Sequence, residues 1–326
     1  MTSPNFTLPT LASLQSAAEL VHSVIPPTPQ IRWPLLGQRI GAEVWVKHEN
    51  HNPTGSFKVR GGIVYLEELV RQHPDVKGVV SATRGNHGQS IAFTAARKGL
   101  RCVVVVPHGN SVEKNAAMRA FGAELIEHGH DFQDAIEHAA SLAKNENLHF
   151  VPSFDEPLFR GVASYALELF QAVPDLDAAY VPIGLGSGIC GMIAVRDALG
   201  LKTEIIGATA KEAPAYASSF LAGKPVSANV GKTIADGVAC RVPDPRAVEI
   251  ILRGAARLVT LDENEIRAAM RHYFTDTHNV AEGAGALALA ALLKEQSAMR
   301  GKRVAVILTG GNVDRNVFSP VLAGND

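Results

Sequence analysis

The chain has 326 residues, 46% of them hydrophobic, enough to bury a large core, and two packed lobes are the expected arrangement. A net charge of −1 offers no strong field to nucleic acid or to an anionic membrane surface, so a small molecule is the expected partner. The cysteines Cys102, Cys190 and Cys240 are too widely spaced for a zinc-type pair or a disulfide framework, which suits a reducing cytoplasm. Met1 to Leu20 lacks a basic start followed by an apolar block, and no later stretch approaches the roughly 20 apolar residues that cross a bilayer, so a soluble protein is expected.

Near-alternation from Ala42 to Glu49 predicts a strand, closed by the loop Asn50-His51-Asn52-Pro53. A helix over about 56–72 follows, with Ser56 as its cap and Val59, Ile63, Leu66 and Val70 at helical spacing, which puts Lys58 in the first turn. Next come a strand from Gly78 to Ser81, a helix over 87–98 and a β-branched strand from Cys102 to Val106. The alternation continues: helix 111–121, strand 123–127, helix 131–144, strand 148–151, helix 158–172 and strand 178–183. A small-residue helix to Leu199, a strand from Glu204 to Ala208, helices around 262–273 and 281–295 and a last strand from Arg303 to Leu308 complete the pattern. Strands alternating with helices imply an α/β fold with a parallel sheet covered on both faces. There is no low-complexity segment, solenoid repeat or linker to a further domain.

Three glycine-containing turns follow predicted strands. Gly184-Leu185-Gly186-Ser187-Gly188 precedes a helix, where backbone amides and the helix dipole form an anion cradle suited to a phosphate. It fits neither Gly-x-Gly-x-x-Gly, because Ile189 holds the third position, nor a P-loop, because no Lys-Ser/Thr follows. A plain strand-to-helix turn is the competing reading. Thr83-Arg84-Gly85-Asn86-His87-Gly88-Gln89 sits where open α/β sheets place ligands and suits a carboxylate, or is simply a capped turn. Thr309-Gly310-Gly311-Asn312 is the third. Lys58 alone would read as a surface lysine, but Phe57 and the polar loop beside it describe a setting in which burial lowers an amine pKa and favours imine formation.

With these residues in place, the chain resembles the tryptophan synthase β-like (fold type II) pyridoxal-phosphate enzymes, specifically their threonine dehydratase and serine racemase branch. Asn52-x-x-x-Ser56-Phe57-Lys58-x-Arg60-Gly61 is similar to the family's Schiff-base segment, and Gly85-Asn86-His87-Gly88-Gln89 to its substrate carboxylate loop. Gly184 to Gly188 resembles the phosphate loop, and Thr309 to Asn312 the pyridine-nitrogen segment. The resemblance implies a two-domain, three-layer parallel-sheet fold: a large cofactor-binding domain of residues 1–53 and 158–326, and a small inserted domain of 54–157. It also implies that Lys58 carries the cofactor and then acts as base at Cα, that Phe57 packs near the cofactor, and that Asn86 bonds the ring hydroxyl. Thr83, Arg84, Gly85, Asn86 and His87 would form the carboxylate loop, and Glu282 would lie near the cofactor although the family's following proline is absent. A neutral Thr309 opposite the pyridine nitrogen makes the ring a weaker electron sink, which disfavours long-lived carbanions and favours prompt β-elimination. The implied reaction dehydrates and deaminates a β-hydroxy-α-amino acid such as threonine, serine or a bulkier 3-hydroxy analogue, giving a 2-keto acid and ammonia, in a homodimeric cytoplasmic enzyme.

Some positions depart from the family. Arg84 stands where similar serine racemases carry a serine acid/base, and an arginine is a poor proton shuttle, which argues against racemisation; it can pair with a substrate carboxylate or with a protein acid. Ala208-Thr209-Ala210-Lys211 replaces a Glu-Pro metal segment, so no divalent metal is expected. The regulatory extension of allosteric threonine dehydratases is lacking, so isoleucine-type feedback is not expected. His128 and His130 read as surface residues, and Glu67-Glu68 and Asp262-Glu263 as solvated helix charges. Two other readings stand beside elimination: a β- or γ-replacement enzyme similar to cysteine or threonine synthase, and a binding or regulatory protein on the same scaffold.

Overall fold

The computed structural model describes residues 7–324; residues 1–6, the start of the N-terminal stretch considered above, and residues 325–326 lie outside the described residues. Ten strands occur among the described residues: β1 (Gln30–Arg32), β2 (Glu43–His48), β3 (Gly78–Ala82), β4 (Arg101–Val106), β5 (Glu124–Glu127), β6 (His149–Phe150), β7 (Ala178–Pro182), β8 (Glu204–Ala210), β9 (Arg257–Leu261) and β10 (Arg303–Leu308). They form two sheets. One has the order β1-β2-β10-β7-β8-β9 and the other β5-β4-β3-β6. Every pairing is parallel except β1 with β2, an antiparallel edge that the alternation argument did not foresee.

In the six-stranded sheet Val304, Val306 and Leu308 of β10 are fully buried beside Val44 and Val46 of β2, as expected of a parallel strand covered on both faces. The helix Gly283–Lys294 packs against this sheet, and its small residues permit close approach: a Cβ at Gly285 would lie 2.4 Å from the Gly310 carbonyl oxygen. The four-stranded sheet is covered by Leu66, Ile91 and Met118 on one side and by Ala135 and Ala139 on the other.

Several expectations need correction. The Lys58 helix runs Lys58–Gln72, and Ser56 does not cap it; Ser56 is fully buried in an antiparallel bridge to Gly310, so tertiary pairing overrides the local capping signal. Residues 158–172 belong to two helices, Glu156–Val162 and Ser164–Ala172, that share Ala163 as a junction. Asp262 closes a capping box with Glu265, and Glu263 accepts hydrogen bonds from Thr233 Oγ1 (2.6 Å) and Ile234 N–H (2.8 Å), so this pair does structural work. The helices Leu11–His22, Pro34–Ile40, Ala215–Ala222, Pro245–Gly254 and Arg315–Ala323 and strand β9 were not read from the sequence.

Candidate active site

The segment leading into Lys58 is stitched to the segment after β10 by main-chain hydrogen bonds. Phe57 N–H donates to the Thr309 carbonyl (3.0 Å) and Gly311 N–H to the Gly55 carbonyl (3.0 Å), while the Asn312 side chain donates to the Thr54 carbonyl (2.8 Å). Gly55 is required here, because its φ is +67° and a Cβ would meet Asn312 Oδ1 at 2.3 Å. Lys58 is thereby held at the wall of a cavity of about 730 Å³. Phe57, Lys58, Thr83, Arg84, Gly85, Asn86, His87, Gly184, Leu185, Gly186, Ser187, Gly188, Glu282 and Thr309 all line it, whereas Gly88, Gln89 and Gly310 to Asn312 of the same turns do not.

The Lys58 amine lies 3.4 Å from Ser187 Oγ and 5.1 Å from the centre of the Phe57 ring. Burial lowers its pKa to about 8, so a far larger fraction of the amine is neutral near physiological pH than in an ordinary lysine. His87 is lowered further, to about 3, by burial and by the nearby Lys58 charge, opposed by a hydrogen bond to the Pro152 carbonyl. It is neutral at working pH, and its Nε2 is buried without a partner.

The helix Ser187–Ala198 begins after Gly186, whose φ is +102°, with no side-chain cap. The amides of Gly186, Ser187 and Gly188 find no acceptor among the described residues. A Cβ at Gly186 would press to 2.7 Å from Ala247 Cβ, and one at Gly184 to 2.8 Å from the Gly237 carbonyl oxygen. Side chains at Gly184 and Gly186 would clash with the packing around the turn, so the cradle forms only with glycine at these positions. Tyr165 and Tyr216, which the sequence reading missed, hold it in shape: their hydroxyls donate to the carbonyls of Gly188 (2.9 Å) and Leu185 (2.8 Å).

On the other side, Thr83 Oγ1 accepts from Gly85 N–H (2.9 Å) and Gly88 N–H (3.3 Å), shaping the turn before the helix Asn86–Arg97. The amides of Asn86 and His87 are left without acceptors among the described residues. The Asn86 side chain donates to Glu282 Oε1 (2.6 Å) and accepts from Asn312 Nδ2 (2.8 Å), leaving one N–H free. Burial raises the Glu282 pKa, opposed by Lys114, whose amine ion-pairs with Glu282 Oε2 at 3.1 Å and with Asp236 at 2.9 Å. Lys114 and Asp236 carried no sequence signal, because each matters only through partners more than 100 residues away, whereas Asn312 stood in the turn from Thr309. Thr309 is buried, and its hydroxyl has no partner among the described residues. Arg84 also makes no ion pair or hydrogen bond there, which removes the protein-acid partner as an explanation for it.

These features fit a phosphate-bearing carbonyl cofactor: an uncapped amide cradle, an amine of lowered pKa beside it, and the Thr309 hydroxyl without a partner. Residues 21–310 match the family model for pyridoxal-phosphate-dependent enzymes, and the chain belongs to that family. Pyridoxal phosphate is its cofactor. Among its relatives, the L-threonine ammonia-lyase of Thermotoga maritima is 30% identical over 317 residues, covering 96% of this chain and 78% of that protein. The biosynthetic L-threonine dehydratase IlvA of Haemophilus influenzae is 32% identical over 297 residues, 90% of this chain. The chain spans 58% of the length of that relative. A solved pyridoxal 5′-phosphate-dependent aspartate racemase superposes with a TM-score of 0.89 at 28% identity, covering 96% of this chain and 98% of the racemase. No helix among the described residues is long and apolar enough to cross a membrane, and no group of three or more His, Cys, Asp or Glu residues there can hold a metal ion.

Proposed function

We propose that this cavity carries out β-elimination on a β-hydroxy-α-amino acid, with threonine, serine or a bulkier 3-hydroxy amino acid as substrate and a 2-keto acid and ammonia as products. The observation that carries the reading is the Lys58 amine, lowered to about 8 by burial, in the same cavity as two uncapped helix N-termini and the unpartnered Thr309 hydroxyl. Pyridoxal phosphate supplies the carbonyl that takes up the substrate amine and the conjugated ring that draws electrons from the Cα–H bond. The amides of Gly184 to Gly188 hold its phosphate, and Phe57 packs beside the ring. Asn86, already oriented by Glu282 and Asn312, offers its free N–H to the ring oxygen, and Thr309 offers a neutral hydroxyl to the ring nitrogen. The amides of Asn86 and His87, within the turn from Thr83, hold the α-carboxylate.

Lys58 removes the Cα proton onto Nζ and passes it to the β-oxygen as the Cβ–O bond breaks, so that the hydroxyl leaves as water and the amine is neutral again. The enamine so released tautomerises and takes up water, yielding the keto acid and ammonia. Two relatives named as a threonine ammonia-lyase and a threonine dehydratase support this reading. Racemisation is not favoured, because Arg84 stays charged and cannot relay a proton on the opposite face.

The same reading assigns residues 1–53 and 158–326 to a large domain and 54–157 to a small one, supported by the grouping of β3 to β6 in one sheet. A cytoplasmic location is supported by three free, buried cysteines. A homodimer is supported by Leu35, Phe274 and Val317, exposed on helices that pack together. The test is keto acid and ammonia release by the cofactor-loaded enzyme across threonine, serine, 3-hydroxyaspartate and phenylserine. Release of both products is expected; no release from any of them, or formation of a thioether when a thiol is added, would overturn elimination in favour of binding or replacement.

A further inference from the structure

Four cationic side chains line the cavity: Lys58, Arg84, Lys114 and Arg241. Lys114 is held by Asp236 and Glu282, and Arg241 faces Asp131 at 3.4 Å. Lys58 is the amine of the reaction. Arg84 is left as a permanently charged group without a carboxylate, and its Nε is buried with no acceptor at all. An arginine keeps its charge at any ordinary pH, and a buried guanidinium N–H without an acceptor is costly, so such a group persists where a ligand completes it.

Two anionic groups of the proposed reaction already have receptors here. The cofactor phosphate is served by the amides of Gly184 to Gly188, and the substrate α-carboxylate by the amides of Asn86 and His87. Arg84 is not needed for either. The guanidinium is thus left for a further anionic group that enters the cavity with the substrate.

We propose that Arg84 recognises a second carboxylate, on the substrate side chain beyond Cβ, so that the preferred substrates are 3-hydroxy amino dicarboxylates rather than neutral hydroxy amino acids. A planar fork of N–H donors meets a carboxylate in a bidentate fashion, which gives both affinity and selectivity over a side chain ending in methyl. This rests on the eliminating amino-acid enzyme proposed above, and two measurements separate the claims. The first compares kcat/KM for 3-hydroxyaspartate and serine in the loaded wild-type enzyme and in Arg84→Ala and Arg84→Lys. Wild type prefers 3-hydroxyaspartate, and Arg84→Ala lowers the ratio of the two kcat/KM values by about 30- to 100-fold, mostly through KM, as expected for loss of a charged hydrogen-bonding partner. Arg84→Lys restores only part of the ratio, because an ammonium cannot make the bidentate contact.

The second measurement titrates the holoenzyme with aspartate and with alanine, which lack a hydroxyl to expel, and follows the shift of the cofactor's visible absorbance. Aspartate binds more tightly than alanine in wild type and loses that advantage in Arg84→Ala. If aspartate binding depends on Arg84 while no hydroxy amino acid releases ammonia, elimination fails and the second-carboxylate site stands. Equal loss on 3-hydroxyaspartate and serine would assign Arg84 to the α-carboxylate and overturn the proposal, as would a wild-type enzyme with no preference for either dicarboxylate.

Discussion

Lys58 and Arg60 leave the same helix two residues apart, roughly 200° around its axis, and enter opposite kinds of environment. Arg60 is fully buried and has every donor met: Glu49 at 2.7 and 3.0 Å, Glu168 at 2.6 and 3.0 Å, Ser164 at 2.9 Å and Thr28 at 3.1 Å. Lys47 closes the cluster on Glu168 at 2.5 Å and on the Thr28 carbonyl at 2.6 Å. Burial opposes the Arg60 charge, yet Glu49 and Glu168 more than offset it and its pKa is raised. On the cavity side Lys58 reaches only Ser187, His87 Nε2 has no partner, Arg84 Nε has no acceptor, and burial pushes the amine down instead. A closed network of charges holds structure, whereas charges left open to a cavity are available for chemistry.

The comparison breaks first at Lys58. Lys58→Ala is expected to lower turnover by about 10³-fold or more and to abolish the visible band of the Lys58-bound cofactor. The variant should fold normally, because no protein acid depends on the amine; loss of secondary structure by circular dichroism would mean that the two sides of the helix are not distinct. A pH test sharpens this. Cofactor capture by the apo-protein needs the neutral amine, so its rate should rise through a midpoint near pH 8, well below the 10.5 of an ordinary lysine.

Glu49→Gln inverts the pattern. Weakening the partner of a buried guanidinium costs about 3–5 kcal/mol, read as a lower midpoint in urea, while turnover per loaded site in the folded fraction stays near wild type. Acid acts on the same cluster through Glu168. Burial raises its pKa, but Arg60 and Lys47 outweigh burial and hold it at about 2, so its contribution is complete above about pH 4.5 and is lost as pH falls toward 2. Glu168→Gln should flatten that part of the acid-denaturation profile. The smallest effect belongs to Tyr165→Phe, which removes one hydrogen bond to the Gly188 carbonyl. A loss of about 0.5–1.5 kcal/mol is expected, measured as weaker retention of the cofactor on dialysis.

Much of the site was legible beforehand because strand-to-helix turns in an α/β chain advertise themselves. Glycine runs after β-branched stretches located Gly184 to Gly188, Thr83 to Gln89 and Thr309 to Asn312, and the order of the motifs placed Lys58 among them. The weaker readings share one cause. Ser56 had the chemistry of a helix cap, but its backbone pairs with Gly310, more than 250 residues away, and that long-range pairing decided the conformation. The capping signal is local, and the force that overrode it is not.

The sequence by itself determined the α/β alternation, the glycine turns that line one cavity and the candidate lysine beside them, because hydrophobic period, glycine turns and motif order are properties of the chain. Tertiary structure alone decided which charges are met. Nothing near Arg60 or Arg84 in sequence reveals that the first is closed by Glu49 and Glu168 while the second faces the cavity without an acid, since an ion pair exists only where folding brings its two halves within hydrogen-bond distance.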